Sequence, residues 1–322
     1  MGYKKFDFDD INLVPKKCIV NSRSECNTSL NFGGFNFKLP IVPANMECVL
    51  NIELAEKLAR NGYFYIMHRF DVDVEKFILN MKTKSLPTSI SIGVNEDSYE
   101  LVDTLIEKCL IPDYITIDIA HGHSIKMEKM LTYLNQLKSC GKLYSFIIAG
   151  NVSTKEGVID LENWGADCVK VGIGPGSACT TYPATGFGSR NCQASTIKFC
   201  ADVAKKPIIA DGGIKEIGDV SKSLVMGATM VMIGGMMSGF IDSPGDIISY
   251  DGKKYKEFWG SASQHQSNKK NRIEGKKNII ELKNKSIIDE MIFIEECLQS
   301  SISYAGGSDL SCFNQVEYTF FQ

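Results

Sequence analysis

Cys168-Val169-Lys170-Val171-Gly172-Ile173-Gly174-Pro175-Gly176-Ser177-Ala178-Cys179-Thr180-Thr181 is a short, mostly apolar run that breaks into a glycine-rich loop carrying a cysteine. A run of this length that ends in glycine reads as a buried strand. Glycines let backbone N–H groups approach an anion closely, and the same N–H field favours a thiolate over a thiol. Cys179 is therefore a candidate nucleophile facing a phosphorylated ligand; the competing reading is a buried structural thiol.

Seven more runs of the same kind lie outward from this one: Ile41 to Met46, Tyr63 to His68, Ser89 to Val94, Tyr114 to Ala120, Phe146 to Asn151, Pro207 to Asp211 and Met230 to Gly234. Helix-period segments separate them, the pattern of buried parallel strands joined by crossover helices. Eight such units predict an α/β fold, a (β/α)8 TIM barrel with its site at the C-terminal face of the strands. Ser153 and Glu156 read as a capping box, and Gly62, Gly141, Gly165 and Gly227 fall where helix C-terminal glycines belong. Met127, Met130, Leu131, Leu134 and Leu137 form one apolar stripe, read as packing against the barrel.

Two segments depart from the repeat. The loop over about 172–193 is rich in Gly, Thr and Pro, and the stretch over about 250–285 is polar, lysine-rich and poor in apolar periodicity. Both follow barrel strands, so both are expected as lids on the C-terminal face. The second is expected to act as a mobile flap, with Gly260 to Lys277 becoming ordered when ligands bind.

The chain has 322 residues, 44% of them hydrophobic, enough for one barrel domain over 1–322. A net charge of −3 and the lack of a long basic block give no nucleic-acid or membrane footprint. Eleven cysteines without a C-x-x-C pair, and a charged Met1 to Asp10, lead us to expect a cytoplasmic protein with reduced thiols.

The remaining candidates sit at strand ends. Asp211-Gly212-Gly213 and Gly234-Gly235, together with Gly174 and Gly176, suggest a phosphate site, with Asp211 either receiving ribose hydroxyls or capping a helix. Asp118 closes the apolar run Ile115-Thr116-Ile117, where a carboxylate needs a partner, and is a candidate for proton transfer or orientation. Arg69 could orient acidic groups or serve a structural ion pair. His121 and His123 lack the ligand set of a metal site and are read as loop residues.

Gly172 to Thr181, together with Ala149-Gly150-Asn151-Val152, Ala210-Asp211-Gly212-Gly213 and Gln299 to Gly307, resembles the IMP dehydrogenase/GMP reductase family over nearly the whole chain. Only Asp71 to Thr88 separates the second and third strand candidates, so the regulatory module common in the dehydrogenases is missing. The flap also lacks their adjacent Arg-Tyr pair. The chain thus looks like the bacterial, short-flap reductase branch.

That resemblance implies reductive deamination of GMP by NADPH to IMP and ammonia, through a covalent thioimidate on Cys179. It implies proton delivery by Thr181 and Glu274, an acidic Asp118 near the reacting centre, and Arg69 where animal-type relatives have Lys. Substrate contacts would come from Ser177, Asp211, Gly212, Gly213, Gly234 and Gly235, with Ser261 and Ala262 in the flap near the base. Tyr182 stands where relatives carry a basic residue. The resemblance further implies a potassium ion on the carbonyls of Gly174, Gly176 and Cys179, and a homo-oligomer, a tetramer. Two other readings are a dehydrogenase lacking its regulatory insert and a purine-nucleotide-binding barrel without turnover.

Overall fold

The computed structural model of the protein describes residues 4–260 and 277–321. Seven of the eight expected runs form parallel strands: β1 (Ile41–Pro43), β2 (Ser89–Ile92), β3 (Tyr114–Asp118), β4 (Phe146–Val152), β5 (Cys168–Val171), β6 (Ile208–Asp211) and β7 (Met230–Ile233). They pair in the order β1-β7-β6-β5-β4-β3-β2, so the first strand lies beside the last. The pairing β7–β1 runs from Val231 opposite Ile41 to Ile233 opposite Pro43. This is a curled parallel sheet of TIM-barrel type.

The expected second strand, Tyr63 to His68, is not a regular strand. It is buried throughout, yet it meets the sheet by a single parallel bridge, Met67 to Ile90. Side chains supply further links: the Tyr65 hydroxyl donates to the Pro87 carbonyl at 2.8 Å, and the Ser91 hydroxyl donates to the Met67 carbonyl at 2.7 Å. The segment fills the gap between β1 and β2 without a backbone ladder.

Inside the barrel, Val42, Phe64, Ile66, Ile148, Ile209 and Met230 form one apolar cluster. Its floor is the hairpin Leu30–Phe32/Phe35–Phe37, whose Phe32 ring stacks on Tyr114 with centroids 6.1 Å apart and whose Phe32 carbonyl accepts the Tyr114 hydroxyl at 2.5 Å. A second, larger cluster lies between the sheet and the helices, and it contains Met127, Met130, Leu131 and Leu134 as the stripe predicts.

Helix ends follow the glycine punctuation. Gly62, Gly141, Gly165 and Gly227 all have positive φ just after helices, where only a residue without Cβ is unstrained. The capping box expected at Ser153 and Glu156 does not form, because the helix starts one residue later and its third residue, Gly157, has no side chain to return a bond. Thr154 is the N-cap of the helix Lys155–Trp164 and its hydroxyl accepts the Gly157 amide at 3.1 Å.

The segment expected as an irregular lid is partly regular. Three antiparallel strands, β8 (Ile247–Tyr250), β9 (Lys253–Trp259) and β10 (Lys277–Glu281), form a small sheet after β7. Lys256 and Phe258 on β9 point inward and are buried, an alternation with period two that lysine content conceals in the sequence. Lys256 Nζ donates to the Ser243 carbonyl. The Cys48 thiol donates to the Trp259 carbonyl at 3.2 Å, tying the sheet to the loop after β1. The flap tip, with Glu274, Ser261 and Ala262, lies outside the described residues.

Candidate active site

A cavity of about 920 Å3 opens at the C-terminal ends of the barrel strands. That is at the upper end of the roughly 300–1,000 Å3 usual for small-molecule sites. One wall is the loop after β5. Gly172 has φ +144°, and a Cβ there would sit 2.0 Å from the Asp211 carbonyl oxygen, so only glycine allows β5 and β6 to converge this tightly. Gln193, fully buried on the helix Gln193–Ala201, fastens the same junction by donating to the Val171 carbonyl at 3.0 Å and the Asp211 carbonyl at 3.2 Å.

The loop then turns through Gly174 and Gly176 to Cys179, whose amide donates to the Gly176 carbonyl at 3.0 Å. Cys179 is partly exposed to the cavity, and its Sγ lies 3.3 Å from Thr181 Oγ1. Thr181 opens a short helix, Thr181–Thr185, within the stretch expected to be wholly loop. The thiol is thus accessible, unlike buried Cys168 and Cys200, whose pKa values burial pushes up, to about 12 for Cys200.

Asp118, at the end of β3, reaches the same cavity. Burial alone would raise its pKa, but Lys170, Asn45 and Arg69 together hold it below the ordinary carboxylate value. Lys170 Nζ lies 2.9 Å from Asp118 Oδ1, and Asn45 Nδ2 donates to Asp118 Oδ2 at 3.0 Å. Arg69 lines the cavity after the irregular second segment, its guanidinium carbon 4.9 Å from the Phe70 ring centre.

Asp211, at the end of β6, does not cap a helix. Its Oδ2 accepts from Lys170 Nζ at 2.7 Å and from Asn151 Nδ2 at 2.7 Å, and Asn151 also donates to the Gly172 carbonyl at 2.6 Å. The turns at Gly212-Gly213 and Gly234-Gly235 complete the far side. A Cβ on Gly235 would sit 3.6 Å from Ser177 Oγ and 3.8 Å from the Phe258 ring, so the missing side chain leaves an open cradle between Ser177 and β9. Arg190, Lys215 and Lys283 bring positive charge to the same lining.

Every sequence-predicted residue among those described, from Arg69 and Asp118 through Gly174, Gly176, Ser177, Cys179 and Thr181 to Asp211, Gly212, Gly213, Gly234 and Gly235, therefore lines one cavity. His123 does not; it pairs with Asp160 at 2.8 Å, and neither lines the cavity. Sequence reading missed Asn45, Asn151, Gln193 and above all Lys170. A lysine inside a fully buried strand needs counter-charges, and that signal was present in Cys168-Val169-Lys170-Val171.

The family model for the IMP dehydrogenase / GMP reductase domain matches residues 5–316. A protein of Mycoplasma mycoides named GMP reductase is 53% identical, covering 98% of this chain and 97% of its own length. Relatives of the same name from Pediococcus pentosaceus and Bacillus subtilis are each 52% identical, covering 98% and 97% of this chain and 96% and 95% of theirs. With the barrel, the cysteine loop and the paired carboxylates in place, the match over nearly the whole length makes this chain a member of the IMP dehydrogenase/GMP reductase family.

Proposed function

We propose that the protein is a GMP reductase, carrying out NADPH-dependent reductive deamination of GMP to IMP with release of ammonia. The observation that carries this reading is the Cys179 thiol beside Thr181 in a cavity ringed by glycine turns and paired carboxylates. Similarity over nearly the whole length to relatives named GMP reductase supports it.

In this reading the Cys179 thiolate attacks C2 of the purine, forming a C–S bond. The C2–N bond breaks and the amino group leaves as ammonia, protonated through Thr181 and Glu274, so that a thioimidate remains on sulfur. NADPH, when bound, supplies the hydride that C2 accepts. The C–S bond then breaks, IMP departs and the thiolate is restored. Asp118, held ionised, accepts hydrogen bonds near C2, while Arg69 contributes fixed positive charge and does not shuttle protons.

Asp211 would receive the ribose hydroxyls, and Ser177, Gly212, Gly213, Gly234 and Gly235 the phosphate; Ser261 and Ala262 would approach the base. The open cradle at Gly235 fits an anion. The cavity volume and the rim charges of Arg190 and Lys283 fit a second, phosphate-bearing ligand beside the nucleotide. A potassium ion on the carbonyls of Gly174, Gly176 and Cys179, a single catalytic domain over 1–322, a cytoplasmic tetramer and a role in purine salvage belong to the same proposal. Among the described residues no helix is long and apolar enough to cross a membrane.

The test is an anaerobic assay with GMP and NADPH that follows nicotinamide oxidation and ammonia together. Equal yields of NADP and ammonia are expected. Activity only with IMP and NAD would reassign the chain to the dehydrogenase reaction, and nucleotide binding without turnover would reassign it to a binding protein.

A further inference from the structure

Among the described residues Lys170 is the most deeply buried charge in the barrel: its side chain is 2% exposed and borders the cavity between the two aspartates. Its ammonium bridges two carboxylates from different strands, Asp118 Oδ1 on β3 at 2.9 Å and Asp211 Oδ2 on β6 at 2.7 Å. Both carboxylates are much more open than the lysine, at 21% and 19% exposure. With its ammonium engaged by both carboxylates, the lysine acts on a bound nucleotide through them.

The surroundings are built to hold this arrangement. Gly150 lies opposite Lys170 on β4, and a Cβ there would be 2.5 Å from Lys170 Cβ, so the strand is kept bare to admit the lysine stem. Asn45 fixes the second oxygen of Asp118, and Asn151 shares the Asp211 oxygen that Lys170 holds. The Met232 sulfur, 3.8 Å from Nζ, closes the remaining side. Besides Lys170, Arg69 is the charged group whose field reaches Asp118.

We infer that Lys170 is a positioning residue whose single ammonium sets the spacing and orientation of Asp118 and Asp211 toward the substrate. This inference rests on the proposed reaction, in which Asp118 faces the reacting carbon and Asp211 the ribose. One buried cation then couples the two ends of the nucleoside: the base cannot be aligned at C2 without the ribose carboxylate being aligned as well. With the ammonium gone, two carboxylates are left facing each other without a counter-charge, and one of them must take up a proton or swing away.

The experiment compares Lys170→Met, which keeps the stem but not the charge, with Lys170→Arg, which keeps the charge. Circular dichroism establishes which variants fold. Steady-state turnover of GMP with NADPH is measured alongside aspartate 13C-carboxyl NMR titration, with the Asp118 signal assigned by Asp118→Asn. We expect Lys170→Met to lose roughly 10²-fold in kcat, the scale of a 1 Å misplacement, with a raised KM for GMP. Lys170→Arg should recover kcat to within about tenfold of wild type.

In Lys170→Met the Asp118 carboxyl should titrate at higher pH than in wild type, a readout that needs no turnover. Should Lys170→Met fail to fold, the charge-keeping Lys170→Arg decides alone: a folded arginine variant as poor as an Asp118→Asn Asp211→Asn double variant would overturn the inference. A folded Lys170→Met with kcat within threefold of wild type, or an unmoved Asp118 titration, would also overturn it. A wild-type chain that does not turn over GMP would instead overturn the proposed function, leaving the titration to judge the positioning role.

Discussion

Replacing Gly172 by alanine should damage the protein more than any other single methyl group added at the site. The new Cβ would lie 2.0 Å from the Asp211 carbonyl oxygen and 2.8 Å from Gln193 Nε2, and the backbone at φ +144° is one that alanine rarely adopts. The first contact is with a strand backbone, which cannot rotate away, so β5 and β6 must separate at their C-terminal ends. Overpacking costs about 1–3 kcal/mol and the strained backbone a further 1–3 kcal/mol, giving a central value of about 4 kcal/mol. At about 2 °C per kcal/mol for a chain of this size, the thermal midpoint should fall by about 8 °C.

The same substitution at Gly218, the first residue of the helix Gly218–Val225, meets no atom within 4 Å. It should leave the midpoint unchanged or raise it by about 1–2 °C, because alanine favours helix over glycine by about 1 kcal/mol. Circular dichroism melts of the two variants beside wild type, at fixed scan rate, make the comparison. A Gly172→Ala midpoint within 2 °C of wild type would refute the claim that backbone convergence at this point holds the two halves of the site together.

Cys179→Ala should abolish turnover while GMP still binds, because the sulfur forms a bond during reaction and the phosphate and ribose contacts lie on other loops; nucleotide titration beside a turnover assay checks both halves. Thr181→Ala, 3.3 Å from the thiol, should slow ammonia release by about 10²-fold and hydride transfer less, which rapid-mix measurement of the two half-reactions would show; equal losses would point to misplacement of the loop. The Asp118 carboxyl titrates below its ordinary value, so its contribution to stability is complete at neutral pH and is lost only as pH falls through the depressed value. The denaturation difference between wild type and Asp118→Asn should therefore hold constant from pH 7 down to about pH 5 and shrink only on stronger acidification; a difference that shrinks already near pH 6 would contradict the depressed titration.

The sequence by itself determined the barrel and most of the cavity lining, because both rest on local rules. Buried parallel strands must be continuous apolar runs, helices must end where a residue can take positive φ, and glycines gather where backbone has to approach backbone or an anion. Hence seven of the eight strands, the four helix-ending glycines and the Cys179 loop were legible from runs of a few residues each. Tyr63 to His68 has the same local pattern but forms one bridge, since the hydrogen-bond ladder depends on neighbours that its own residues do not specify. The β9 sheet was hidden for a related reason: Lys256 reads as solvent-facing until the fold offers its ammonium the Ser243 carbonyl.

The carboxylate pair on Lys170 was decided by tertiary structure alone. Asp118, Lys170 and Asp211 stand on three strands, with β4 between the first two, and meet only because the sheet curls and turns their side chains to one axis. A lysine in an apolar run announces that it needs a partner; which carboxylates answer is fixed by sheet order and register, and these are long-range properties of the curled sheet.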